Sequence, residues 1–381
     1  MPITTLQPPN VDTPLKGHQF HQSQMHSRNQ DPRFSSTQKA KWLIIQTISW
    51  LTGAAIFISL IVHPNVGLQV FWNILIPCAP AMFTFIPGTW RNLCPLGSTA
   101  LLPRRLSLAR PDFLSFDWQT RLGLIGITLL LFFIPFRHVV LNLNGPATAL
   151  TLAVLTISAI IAGSLFEWKS GWCSGACPVF QIEKLYGSHP ALTVPNAHCT
   201  TCDQCTAPCI DSSTKHYSFT RYRDTLRNLT TLLMFGGFPG FIWGWFQVPD
   251  YTRAEGWNHL VEIYGYPLGA GGITCLIFLG LHRCMPSRFH IHLIQLFVAG
   301  AISCYYWYRL PALVGFGIFP GDGMLVDMTT TLPEWSVWIS RTGTTSLFFW
   351  WFFRSQKNKQ PWTIRPRLAE LRFFRRSSAT G

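Results

Sequence analysis

The chain has 381 residues, 48% hydrophobic and only 12% charged, about half the charged share of a typical soluble domain. Its apolar residues are gathered into long runs, which excludes an ordinary soluble globular protein, and its net charge of +14 is distributed in a way that argues against nucleic acid as a partner.

Residues 1–41 are polar, rich in Gln, His, Pro and Ser, and read as a disordered tail. The first apolar run starts at Trp42, too long and too late for a signal peptide. No Asp, Glu, Lys or Arg occurs from Trp42 to Trp90. That is room for two crossings, since ~20 apolar residues span the hydrocarbon core. Similar runs follow at Leu122–Pro135, Val139–Phe166, Asn228–Pro249, Tyr264–His282, Phe289–Tyr308 and Ser336–Phe353. A backbone inside lipid must satisfy its own hydrogen bonds, so these runs read as helices. The expected fold is an all-α integral membrane protein with about eight transmembrane helices and a cytoplasmic cysteine loop. Residues 42–167 would hold helices one to four with a Cys-Pro loop, 168–225 the cysteine loop, 226–353 helices five to eight, and 354–381 a basic tail. The short apolar segment Pro311–Met324, broken by Pro320 and several glycines, reads as a re-entrant or outer-surface piece.

Basic residues fall in alternate connections: five before Trp42, five from Arg91 to Arg121, six from Lys169 to Arg227, Arg283 and Arg288, and eight from Arg354 to Arg376. The other connections hold only Arg137, Arg253 and Arg309. The positive-inside rule then places both termini and the basic loops in the cytoplasm of a multi-pass protein of a bacterial inner membrane. The tail around Arg365, Arg367, Arg372, Arg375 and Arg376 suits anionic lipid headgroups better than nucleic acid. Tyr305, Tyr306, Trp307 and Tyr308 fall where an aromatic belt is expected. Arg341 lies inside an apolar run, where it either snorkels outward, pairs with Glu334 or lines an anion or quinone site.

Chemistry concentrates in the cysteines. Cys199, Cys202, Cys205 and Cys209 have the C-x2-C-x2-C-x3-C spacing of a bacterial ferredoxin run. Three thiolates two residues apart can wrap one face of an iron–sulfur cubane, with a remote cysteine completing it. A zinc ribbon would space its pairs more widely, and a disulfide staple does not suit the reducing cytoplasm. Upstream, Cys173 and Cys177-Pro178 sit at the expected cytoplasmic end of the fourth helix, Cys94-Pro95 at that of the second, and Cys284-Met285-Pro286 at that of the sixth. Proline after cysteine should stop each helix and leave the thiol at the interface. One [4Fe–4S] cluster would use Cys199, Cys202, Cys205 and either Cys209 or Cys177. A second would need four ligands from Cys94, Cys173, Cys177, Cys209 and Cys284. Alternatively Cys173 and Cys177 form a redox-active dithiol. Cys78, Cys275 and Cys304 read as packing residues.

The order of C-x3-C-P, a spacer of about twenty residues and C-x2-C-x2-C-x3-C, carried by Gly171–Cys209, resembles the membrane polyferredoxin family related to NapH, NosR and CcoG. The resemblance implies electron passage between the quinone pool or a cytoplasmic donor and a membrane-bound or periplasm-facing oxidoreductase. The sequence departs from that pattern in having Trp90 for the leading cysteine of the first C-x3-C-P, Ile210 for the proline after Cys209, and no second ferredoxin run. The competing class is a maturation factor that reduces a metal or the thiols of a partner oxidoreductase. Quinone is a candidate bound cofactor. Haem, which would need a pair such as His63 with His138, is disfavoured because nothing in the spacing demands it, and no catalytic residues stand out.

Overall fold

A computed structural model describes residues 36–108, 116–166, 169–200, 211, 229–252, 255–354 and 361–364; the side chain of Cys199 lies outside that set. The described chain is mostly helical, and six helices are long and apolar enough to cross a membrane. They are Ala40–Val62, Pro64–Phe85, Thr120–Leu141, Gly145–Leu165, Glu255–Cys284 and Ser287–Leu313. Helix α1 is Ser36–Val62 and α2 is Pro64–Phe85, with a π-helical stretch at Gln69–Leu75. Two short helices follow, α3 (Pro87–Leu93) and α4 (Pro95–Ala100). Helix α5 (Phe116–Phe136) runs on into a π turn at Arg137–Leu141, and α6 is Gly145–Leu165. A π-helical segment, Lys169–Ala176, leads into α7 (Pro178–Tyr186). The second half comprises α8 (Phe238–Trp245), α9 (Leu260–Cys284), α10 (His290–Leu313) and α11 (Trp335–Phe353).

Two of the eight expected crossings fall short of that measure. The run at Asn228–Pro249 gives a π-helical Leu232–Gly237 and the short α8 within the described residues. Helix α11 has 19 residues, but its middle from Ser340 to Ser346 is mostly polar.

The helices bury small residues and turn large ones outward. On α6, Thr148, Ala149, Ala159 and Gly163 face the interior, while Leu150, Val154, Ile157, Ile161 and Leu165 form an exposed stripe at helical spacing. In water each such aliphatic side chain would forgo roughly 1.5–3 kcal/mol by staying exposed. A whole stripe of them requires an apolar surround, which a bilayer supplies. Close backbone approach carries the packing inside. Gly240 and Gly244 of α8 lie against the carbonyls of Ala270 and Tyr266 on α9, where a β-carbon would collide with backbone.

Tyr306, expected in an interfacial belt, points inward and is buried. Its hydroxyl donates to Pro77 O at 2.7 Å and accepts from Ala81 N at 3.0 Å. It therefore takes the place of one turn of the α2 ladder, where Pro77 and Pro80 have already removed donors. Arg341 of α11 donates to Trp307 O at 3.2 Å, between the Trp307 and Trp338 rings. A carbonyl and two rings hold it, and it makes no ion pair with Glu334. The segment after α10 runs irregularly across one end of the bundle, with Gly315, Gly321 and Gly323 at positive φ.

Candidate functional site

The helical segments Pro87–Leu93 and Lys169–Ala176 end at the two Cys-Pro pairs, as expected, and Cys94 is the C-cap of the first. Each cysteine is also the N-cap of a new helix whose first residue is the proline, the position where a missing N–H costs nothing. Their backbones match closely: Cys94 has φ −53° and ψ 115°, Cys177 φ −64° and ψ 119°. Both are recessed into the bundle. Pro95 packs 3.0 Å from where a β-carbon on Gly53 of α1 would stand, and the carbonyl of Cys177 lies 3.2 Å from the same position on Gly126 of α5. Gly53 and Gly126 are both well inside their spans, so the thiols sit within the helical layer.

Cys94 and Cys177 lie within electrostatic reach of each other, and Cys173 beside them is buried. Burial pushes the Cys94 thiol up. The Leu96 and Gly97 amides and Arg91 pull the other way, while Glu183 adds to the rise. Cys177 is pushed up to about 12, first by burial and then by Glu183 and Cys94, against the Phe180 amide and Arg91. Each sulfur therefore faces helix-start amides that favour a thiolate, though neither closes a full capping hydrogen bond. A thiol held neutral in this way loses its proton readily only to a metal.

Arg91 of α3 organises the site. Its guanidinium is buried and donates to Cys173 O at 2.8 Å, Ser174 Oγ at 3.0 Å and Asp211 Oδ1 at 2.9 and 3.2 Å. Glu183 Oε2 lies 3.3 Å from it, and the Phe180 ring centroid 5.2 Å. Burial alone would weaken its hold on the proton, but the two carboxylates outweigh that and keep it well above its ordinary range. One buried guanidinium thus faces two buried carboxylates beside the sulfurs.

Arg91 and its neighbour Asn92 also fix the four-cysteine run at both ends. Before it, Ala197 N donates to Asn92 Oδ1 at 3.1 Å, and His198 Nε2 donates to the Arg91 carbonyl at 3.1 Å. Asn92 Nδ2 in turn donates to Pro195 O at 2.8 Å. Beyond it, Asp211 is fully buried in its pairing with Arg91. The backbone of Cys199, in the 3-10 turn Ala197–Thr200, is thereby held next to the Cys94 segment. Cys202, Cys205 and Cys209 lie outside the described residues. Among the described residues, no three Cys, His, Asp or Glu side chains stand close enough to hold a metal by themselves. Cys94, Cys173 and Cys177 are not joined to one another by a disulfide.

A strap closes the site. Val194–Pro195 (β1) pairs in parallel with Thr363–Ile364 (β2), and Trp362 is fully buried with Nε1 donating to Gly187 O at 2.7 Å. Four residues of the expected lipid-binding tail thus belong to the site. Cys284, by contrast, is exposed at the end of α9, and Cys78 is exposed on α2 instead of packed. Both ring nitrogens of His138 are engaged, by Asp250 Oδ1 at 2.6 Å and Trp245 O at 3.2 Å, and so are not free for haem. Sequence reasoning missed Arg91, Asn92, Glu183, His198, Asp211 and Trp362. Arg91 and Asn92 stand inside the Trp90–Pro95 string and Asp211 two residues past Cys209, which was the available signal. Compared with protein-family models, curated proteins and solved structures, the chain matches none.

Proposed function

We propose that this chain is a membrane electron carrier whose four-cysteine run and upstream cysteines hold an iron–sulfur cluster, as in the membrane polyferredoxins it resembles. One observation carries the reading. Arg91 and Asn92 anchor both ends of the Cys199–Cys209 run beside Cys94, Cys173 and Cys177. The sulfurs of Cys94, Cys173 and Cys177 lie in one buried, amide-lined place next to the backbone of Cys199, and soft donors there suit an iron–sulfur core. Cys199, Cys202, Cys205 and Cys209 or Cys177 would hold a [4Fe–4S] group, with Cys94 and Cys173 beside it. A bound cluster would supply reversible one-electron chemistry. The chain's own residues would ligate, position the run through Arg91 and Asn92, and exclude water through the buried Trp172 and Trp362.

The electrons would pass between a cytoplasmic donor or the quinone pool and a membrane-bound or periplasm-facing oxidoreductase, in a bacterial inner membrane with both termini inside. The distribution of Lys and Arg supports that orientation. Anaerobic purification in detergent, with iron and sulfide analysis and EPR of the dithionite-reduced protein, tests the proposal. About four irons and four sulfides per chain with a reduced-cluster signal is the expected outcome. Zinc alone, or no metal and no signal, would overturn it.

A further inference from the structure

The end of the bundle opposite the cysteines holds a cavity of about 340 Å³, between the start of α2, the end of α5, the chain after α8 and the end of α10. Two arginines line it, both more than nine-tenths buried: Arg137 at 7% exposure and Arg309 at 4%. They meet at one residue. The Arg137 guanidinium stacks 3.9 Å from the Trp72 ring centroid and 4.9 Å from that of Trp245. Arg309 Nη2 donates to the Trp72 carbonyl at 2.8 Å and, through a short contact, to Asn73 Oδ1. Gly323, at φ +65°, leaves room for Arg309 Nη1, because a β-carbon there would overlap it.

Among the described residues neither arginine makes an ion pair. Arg137 makes one hydrogen bond, Nε to Asn142 Oδ1 at 3.0 Å, which leaves its terminal nitrogens without a protein acceptor there. The nearby acids are engaged elsewhere. Asp250 accepts from His138 Nδ1 and from Asn142 Nδ2, each at 2.6 Å, and Asp322 Oδ2 accepts from Asp250 N at 2.7 Å. Two buried guanidiniums side by side repel each other, and the carboxylates that share the cavity lining, Asp250 and Asp322, offset them only in part because they are hydrogen-bonded to His138, Asn142 and the Asp250 amide. A planar fork of donors aimed into an open cavity matches an oxyanion.

We propose that this cavity is a binding site for an oxyanion, a carboxylate or phosphate group held between Arg137 and Arg309, with Trp72 and Trp245 as its aromatic wall. The group could belong to a soluble anion or to a lipid headgroup, since the cavity opens at the end of the bundle. The test uses the full chain purified in a nonionic detergent with chloride as the sole anion. Thermal unfolding is followed against rising inorganic phosphate, benzoate or phosphatidylglycerol. The expected result is saturable stabilisation by at least one probe, with the half-saturating concentration at least tenfold higher in Arg137→Gln and Arg309→Gln. Phosphate or benzoate acting alone marks a soluble ligand; phosphatidylglycerol acting alone marks a lipid. Without probe, the Gln variants should unfold close to the parent, because each relieves the repulsion between two buried guanidiniums; a merely structural arginine would make them unfold much earlier. Should the Gln variants fail to fold, Arg137→Lys and Arg309→Lys carry the same comparison, since they keep the charge and lose the fork. No stabilisation by any probe, or equal half-saturation in parent and variants, overturns the proposal.

Discussion

Arg91 shows how one side chain can set the geometry of several segments. Four of its contacts lie in three different places along the chain, Cys173 and Ser174, Glu183, and Asp211. Its charge is what makes those burials tolerable, since a buried carboxylate without a partner costs several kcal/mol. Arg91→Met should therefore take the guanidinium away from two buried carboxylates and destabilise the protein by about 3–5 kcal/mol. It should also release the far end of the cysteine run, so iron per chain should fall along with melting temperature. Arg91→Lys keeps the charge but cannot reach Asp211, Ser174 and the Cys173 carbonyl together, and should fall between parent and Met. Iron content and thermal unfolding in detergent check both variants. Full iron loading in Arg91→Met would detach the guanidinium from the metal site.

At the level of elements, close packing of α8 on α9 holds the second half of the bundle. Gly240 faces the Ala270 carbonyl and Gly244 that of Tyr266, so no side chain fits at either. Gly240→Leu must push the helices apart and should cost about 1–3 kcal/mol or more, seen as earlier unfolding and aggregation in detergent. Gly272→Leu, on the same α9 but with no heavy atom within 4 Å of the added β-carbon, should be close to neutral. Equal effects from the two would mean that helix propensity, and not the crossing, is being measured. The helices themselves were legible in the sequence because long charge-free runs have few other solutions in a membrane. The course of the chain between them was not. Cys-Pro reads as a helix stop, and each pair is one, but that it also starts the next helix, seated against Gly53 or Gly126, depends on packing from elsewhere in the chain. Trp362 lies among basic residues that read as a lipid-facing tail, and nothing local marks the hydrogen bond its carbonyl accepts from Val194 N, 168 residues earlier in the chain. The cysteine spacing was plain. The residues that pin it, Arg91, Asn92 and Asp211, were hidden because isolated polar residues carry no periodic signal.

Across the whole molecule, two polar centres share one apolar bundle. Gly126, which touches the Cys177 carbonyl, and Arg137 are eleven residues apart on α5, or ~16 Å at 1.5 Å per residue. The few basic residues expected on the far side were Arg137, Arg253 and Arg309, and two of these are hidden inside the protein. Arg91 at the cysteine end is buried as well, so burial leaves the proposed orientation resting on the sequence count of Lys and Arg. A membrane-impermeant maleimide distinguishes the two orientations. Cys284 is exposed at the cysteine end and should label in inverted vesicles but not in right-side-out ones. Thr330→Cys, at an exposed position in the chain crossing the other end, should label with the opposite preference when made in a Cys284→Ser background. Cys94, Cys173 and Cys177 are recessed among α1, α5 and α6 and should stay unlabelled from either side until the protein is unfolded. Reversal of the Cys284 and Thr330→Cys patterns would put the cysteines toward an oxidising face. There a clamp of free thiols would be hard to maintain, and the electron-carrier proposal would lose its cytoplasmic donor.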